Sequence, residues 1–99
     1  MTRYRRRSQI VSAVRVLGID ENEVQFDGGT DDTSWLNQAL EKGIGEEGGL
    51  WVVHSGLRIG TLEGTLRVNV GDYIVRGVKG EIYPVRRDIF EDSYEPNGH

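Results

Sequence analysis

The sequence predicts an α+β domain: a curled antiparallel sheet of about five strands, open or closed into a barrel, with one main helix packed on it. The sheet is predicted by short runs of alternating apolar and polar residues between glycine-containing turns. The helix is predicted by the segment 31–43, in which apolar residues recur at helical spacing. A chain of 99 residues has the length of one domain and can bury a modest core.

The main helix has recognisable ends and one apolar face. Its N-terminus is predicted at an acidic or hydroxyl cap, one of Asp31, Asp32 and Thr33, and its C-terminus at Gly43. The apolar stripe consists of Trp35, Leu36, Ala39 and Leu40. Because Trp35 leads this stripe, we expect its side chain to be buried against the sheet.

The strands are separated by glycine turns. Strands are predicted at 9–16, 50–56, 57–70, 73–78 and 81–85, with a brief strand at 23–26 inside the loop 18–32. Glu63-Gly64 and Lys79-Gly80 are the expected hairpin turns, and Gly71-Asp72 is the expected corner. Together these turns predict an antiparallel meander with one apolar face.

Two further segments complete the domain. The segment 43–49 contains four glycines and is expected to be a mobile loop. A last helical turn, 88–92, is expected to be capped by Asp88 and to lay Ile89 and Phe90 on the core.

The distribution of charge divides the chain into a basic N-terminal arm, residues 1–8, a domain at 9–96 and a tail at 97–99. The arm contains Arg3, Arg5, Arg6 and Arg7. Removing these four from the twelve basic residues leaves eight against sixteen acidic ones, so residues 8–99 carry a net charge of −8. Such an arm can bind nucleic acid, or it can fold back onto the acidic body, and we favour the second interpretation.

Composition and motifs argue against catalysis, cofactors and membranes. The chain has no cysteine and only two histidines, so no disulfide or thiolate metal site is expected. No apolar run approaches the roughly 20 residues of a membrane span, and no secretory leader is expected. The serines lie in no nucleophile motif, and GIGEEG lacks the lysine of a phosphate-binding loop. We therefore expect no enzyme activity, no cofactor and no bound metal.

A binding surface is the remaining hypothesis. Four basic residues cluster in sequence around the second hairpin: Arg76, Lys79, Arg86 and Arg87. They could hold an anionic ligand or an acidic partner, or Arg76 and Lys79 could simply pair with Glu81 and other acids across the strands, and we favour the second interpretation. Strand alternation sets Tyr73 and Arg76 on opposite faces, which argues against a pocket that combines them. If this patch binds nothing, the glycine-rich segment 43–49 is the next candidate.

The C-terminal half also carries a dense set of short patterns. They are Leu62-Glu63-Gly64, Gly71-Asp72-Tyr73, Gly77-Val78-x-Gly80-Glu81-x-Tyr83-Pro84, Asp88-Ile89-Phe90 and Tyr94-Glu95-Pro96. In these patterns the chain resembles a group of small, uncharacterised phage and prophage proteins. At the N-terminus Arg5, Arg6 and Arg7 fit the group, whereas Ser8 replaces its proline and Ser12 its glutamate. The middle of the chain, 18–50, does not align with it.

The resemblance implies a phage origin and action in the cytoplasm of an infected bacterium, but it implies no activity. We therefore expect a small accessory protein that binds a host or phage protein, or a small anionic host molecule. The alternative is a nucleic-acid-binding protein that uses the arginine arm. The sequence does not predict the oligomeric state.

Overall fold

The computed structural model describes residues 11–20, 23–27, 34–54 and 56–94. Its elements are β1 (Ser12–Ile19), β2 (Val24–Asp27), α1 (Ser34–Lys42), β3 (Leu50–Val53), β4 (Gly56–Thr61), β5 (Gly64–Val68), β6 (Tyr73–Arg76), β7 (Ile82–Val85) and α2 (Arg87–Ser93). The predicted arm at 1–8, the tail at 97–99 and the helix caps at 31–33 lie outside the described residues.

The strands form two antiparallel sheets, one of four strands in the order β2-β1-β6-β7 and one of three in the order β3-β4-β5. The α+β class and the antiparallel strands are confirmed. The prediction of one sheet of about five strands is wrong, since the described residues contain seven strands in two sheets. No ladder joins the two sheets within the described residues, so the closed barrel is wrong as well.

The Gly71-Asp72 corner explains why a second sheet exists. The amide of Gly71 donates to the carbonyl of Val16 at 2.7 Å, and the amide of Val16 donates to the carbonyl of Asp72 at 2.9 Å. These bonds place β6 beside β1, where Val14 lies opposite Ile74. A meander would instead have paired β6 with β5. The chain thus leaves the three-stranded sheet after β5 and enters the other sheet at this corner.

The core lies between the two sheets, and α1 contributes to it. One cluster joins Val14, Val16, Trp35, Leu36, Ala39, Leu50, Leu57, Ile59, Val68, Ile74 and Ile82. Trp35 is 7% exposed, which confirms that it is buried. Leu40, the last residue of the predicted stripe, is 42% exposed and lies outside this cluster.

The far face of the four-stranded sheet is also covered. Val75 is fully buried. Because side chains alternate along a strand, it points to the other face of the sheet from Ile74, away from the main core. On the same face as Val75, the ring of Tyr73 stacks on that of Phe90, with centroids 3.9 Å apart. Phe90 stacks in turn on Tyr94 at 4.5 Å, so that α2 packs on this side of the sheet.

The short C-terminal helix differs from its prediction in two respects. Its N-cap is Arg86 and not Asp88, which lies in the first turn and accepts a hydrogen bond from the amide of Ile89 at 3.0 Å. Ile89 is 49% exposed and so is not laid on the core. Adjacent helical residues point about 100° apart, and in so short a helix only Phe90 of the two reaches the sheet.

Truncation of the buried tryptophan tests this packing. We expect Trp35→Ala to lower the free energy of unfolding by about 3–5 kcal/mol, because it removes a buried aromatic ring and leaves a cavity. Leu40→Ala is the matched control on the same helix, and we expect it to cost less than about 1 kcal/mol. Urea denaturation followed by circular dichroism measures both. Equal losses would contradict the different burial of the two side chains.

Candidate functional site

The four basic residues predicted to form one patch are divided between two ends of a hairpin. In the ladder of β6 and β7, Arg76 lies opposite Ile82 at one end, and Tyr73 lies opposite Val85 at the other. Lys79 follows Arg76 in the turn between these strands, whereas Arg86 and Arg87 follow Val85. The antiparallel pairing therefore separates residues that are close in sequence, and no single patch combines all four.

Arg86 and Arg87 are each paired with a nearby carboxylate. Arg86 Nη2 lies 2.8 Å from Asp88 Oδ2, and Arg87 Nε lies 3.3 Å from Glu91 Oε2. A shallow depression of about 340 Å³ beside them is lined by Asp72, Arg86, Arg87, Asp88 and Glu91. Because its carboxylates outnumber its guanidinium groups, this surface does not favour an anionic ligand.

Arg76 and Lys79 are exposed, and neither forms an ion pair with another residue of the described part of the chain. The expected pairing with Glu81 is absent there. The Glu81 carboxylate instead lies over Gly77, where a Cβ would collide with it, so a larger residue at position 77 would require this flexible side chain to move. The structure confirms that Tyr73 and Arg76 point to opposite faces of the sheet. The ladder with β7 runs without a break from Tyr73 to Arg76, and side chains three positions apart in a regular strand lie on different faces.

Lys79 belongs to a larger concavity, which we call the hairpin cleft. It has a volume of about 540 Å³, within the usual range of ligand sites. Three segments wall it: the end of α1 with the glycine loop (residues 43–49), the β4–β5 hairpin and the β6–β7 hairpin. Its lining residues are Lys42, Glu47, Gly48, Gly60, Thr61, Leu62, Glu63, Leu66, Lys79, Gly80, Glu81, Ile82 and Tyr83.

The glycine loop, predicted to be mobile, is hydrogen-bonded along β4. The amide of Gly48 donates to the carbonyl of Gly60 at 2.8 Å, and the amide of Gly60 donates to the carbonyl of Gly49 at 2.9 Å. A Cβ at Gly60 would collide with the main-chain oxygen of Glu46, so the loop approaches the strand more closely than any other residue would allow. The loop thereby forms a defined wall of the hairpin cleft.

The lining of the cleft suits binding better than chemistry. Leu62, at the tip of the β4–β5 hairpin, is 87% exposed, and Leu66 is 38% exposed. The described lining contains no histidine, serine or cysteine, and the Thr61 hydroxyl is already committed to the carbonyl of Gly64 at 2.8 Å. Lysine and glutamate side chains surround these apolar groups, so the cleft combines an apolar contact with charges of both signs.

Two features of this site were not predicted from the sequence. Leu62 was predicted to lie in the strand 57–70, next to the Glu63-Gly64 turn, and not on a binding surface. A large apolar residue beside a hairpin turn is an available clue, because turns favour small polar residues. The cleft itself could not be predicted, since its walls come from segments far apart in the chain.

Other predicted groups do not contribute to the cleft. The arm with Arg3, Arg5, Arg6 and Arg7 lies outside the described residues. Within the described ranges, no group of three His, Cys, Asp or Glu side chains could hold a metal ion. The same ranges contain no helix long and apolar enough to cross a bilayer.

Tyr73 is a titratable group whose environment changes its acidity. Its hydroxyl donates to Glu91 Oε2 at 3.3 Å, and Arg87 donates to the same oxygen. Burial is the largest cause that raises the pKa of Tyr73 above its ordinary value of 10.0, and the negative charge of Glu91 is the second. The hydroxyl therefore stays protonated at neutral pH and serves the packing of α2.

The close approach at Gly60 can be tested directly. We expect Gly60→Ala to lower the free energy of unfolding by about 1–3 kcal/mol, because the new methyl group must displace the glycine loop. Hydrogen exchange of the Gly48 and Gly49 amides should accelerate in the same variant. Gly18→Ala is the control, since a Cβ there meets only Gln25 Oε1 at an ordinary 3.5 Å. Equal destabilisation by both variants would contradict a steric role specific to Gly60.

The raised pKa of Tyr73 predicts how stability depends on alkaline pH. The folded state holds this proton more tightly than the unfolded state, so its contribution is full below about pH 10 and is lost as the pH rises through the folded pKa. We expect the melting temperature of the wild type to fall more steeply above about pH 10 than that of Tyr73→Phe, which keeps the stacked ring. Parallel profiles would show that Tyr73 does not titrate differently on folding.

Comparison of the chain with models of protein families, with curated proteins and with solved structures finds no significant match. The resemblance to small phage proteins therefore stays a prediction.

Proposed function

We propose that this chain is a phage-encoded accessory protein that binds another protein, of the host or of the phage, through the hairpin cleft. In this proposal it catalyses no reaction and acts in the cytoplasm of the infected bacterium. The observation that carries the proposal is the exposed Leu62 beside a 540 Å³ concavity. An apolar side chain this exposed adds little to the fold and gains most by being covered.

The charges of the cleft favour a protein over a small anionic molecule. Glu47, Glu63 and Glu81 line it together with two lysines, so the net charge of the lining is −1. Lys42 is already engaged, since its Nζ donates to the carbonyl of Glu47 at 3.3 Å. A strongly anionic ligand would meet three carboxylates and one uncommitted ammonium group, whereas a polypeptide can present apolar groups and both signs of charge.

The phage origin is supported by the patterns of the C-terminal half. Several of those residues contribute to the fold, since Tyr73, Phe90 and Tyr94 form one stack. Leu62 belongs to the same patterns but contributes no buried surface. Leu62 is the most exposed of the large apolar residues in these patterns, so burial does not account for it, whereas a contact with a partner would.

A single substitution separates this proposal from its alternatives. We expect Leu62→Ser to lose the proteins that the immobilised wild-type chain captures from a bacterial lysate, while the melting temperature stays within a few degrees. Ile89→Ser is the matched control: Ile89 is also exposed, at 49%, but lies on α2 away from the cleft. Quantitative mass spectrometry of the captured proteins measures the difference.

A genuine partner is captured by the wild type and by Ile89→Ser and is lost with Leu62→Ser. Equal capture by all three folded proteins would exclude the cleft as the binding surface. Capture of nucleic acid alone, removed by deleting residues 1–7, would favour the arginine arm instead.

A further inference from the structure

We infer that the partner adds an extended segment to the free edge of β5, and that this segment alternates acidic and apolar residues. The inference rests on the proposed function and specifies the partner's chemistry. It follows from three observations on the described residues: the condition of the sheet edges, the charges on one face of β5 and the apolar groups on the other.

β5 is the unprotected edge among the four that the two sheets present. β7 carries Pro84, which has no amide to donate, and β3 has only four residues, of which Leu50 and Trp51 are buried. β2 has four residues, and its pairing with β1 is irregular between Val16 and Gly18. β5 has five residues, contains no proline, and is exposed from Gly64 to Arg67. Such an edge accepts a further strand through its main-chain groups.

On the outer face of the three-stranded sheet, a row of side chains runs across the strands and ends at the β5 edge with an unpaired positive charge. Trp51 lies opposite Arg58, and Arg58 lies opposite Arg67. Like charges directly opposite each other are destabilising, and in the described residues neither arginine has an acidic partner within 4.0 Å. Arg58 Nη1 instead donates to the carbonyl of Leu57 at 3.2 Å, which leaves Arg67 as the exposed cation of the row.

The residue that an added strand places beside Arg67 would extend this row. An acidic residue there gives an attractive cross-strand pair, whereas a basic one adds a third positive charge. Thr65, which lies on the same face two positions away, can take a polar or acidic neighbour as well. The outer face of the added strand is therefore acidic.

The inner face of β5 requires apolar neighbours. Leu66 lies opposite the buried Ile59 but is itself 38% exposed. Leu66 and Leu62 both line the hairpin cleft, so the inward side chains of an added strand would enter that cleft. Because side chains alternate along a strand, acidic and apolar residues must alternate in the bound segment.

A synthetic peptide tests the inference without knowledge of the natural partner. The probe is fluorescein-labelled Gly-Glu-Val-Glu-Val-Glu-Gly, and its matched control is the same peptide with lysine in place of glutamate. We expect the full chain to bind the acidic probe and not the lysine probe, and to protect β5 amides from hydrogen exchange when bound. N-methylation of alternate probe amides should abolish binding, because an added strand is held by its main chain.

Charge reversal at the edge provides the decisive variant. We expect Arg67→Glu to lower the affinity for the acidic probe about tenfold and to bind the lysine probe, which the wild type does not bind. Arg76→Glu, which changes the net charge equally but lies in the other sheet, should leave both affinities unchanged. Equal binding of the two probes, no binding of either, or protection away from β5 would overturn the inference. It would also be overturned by a dimer of the free protein whose β5 amides are already protected, because a second copy then occupies the edge.

The two proposals fail in different ways. If capture depends on Leu62 but the acidic probe does not bind, the cleft remains the partner site and the edge inference falls. If the acidic probe binds at β5 but Leu62→Ser captures the same proteins as the wild type, the proposed function is wrong, while the edge still accepts a strand of the stated chemistry.

Discussion

The architecture depends on the hydrogen bonds that join the Gly71-Asp72 corner to β1. Two main-chain hydrogen bonds to Val16 hold the corner. The carboxylate of Asp72 also accepts a hydrogen bond from the amide of Asn69 at 2.9 Å. By turning the chain away from β5, the corner opposes two sheets whose inner faces share one core. If β6 had continued beside β5, the apolar face of one sheet would have had only α1 to cover it.

The same corner brings β6 into the middle of the four-stranded sheet, where its two central residues are buried on opposite faces. Ile74 enters the main core, and Val75 is fully buried on the other side. The stack of Tyr73, Phe90 and Tyr94 then holds α2 on that second face. Groups from three separate patterns of the C-terminal half thus meet in one aromatic column. Other residues of these patterns stay exposed, and Leu62 at the hairpin tip is the most exposed of the large apolar ones.

Recognition is therefore expected where the two sheets fail to close. The hairpin cleft and the bare edge of β5 lie on one continuous surface, because Leu66 belongs to both. An enclosed barrel would have neither feature, since all its strands would be paired. The open seam between the sheets leaves a backbone edge, an apolar contact and an uncompensated arginine within reach of one extended segment.

The sequence by itself determined what depends on neighbouring residues: the hairpin turns, the brief strand β2, the burial of Trp35 and the opposite orientation of Tyr73 and Arg76. Turn chemistry, helical period and strand alternation are local properties. Only the tertiary structure decided that β6 pairs with β1, that the basic residues lie at two ends of a hairpin, and that Leu62 borders a cleft. Strand partners depend on contacts between distant segments. The local pattern of this sequence fits one sheet as well as two, so it does not specify which strands pair.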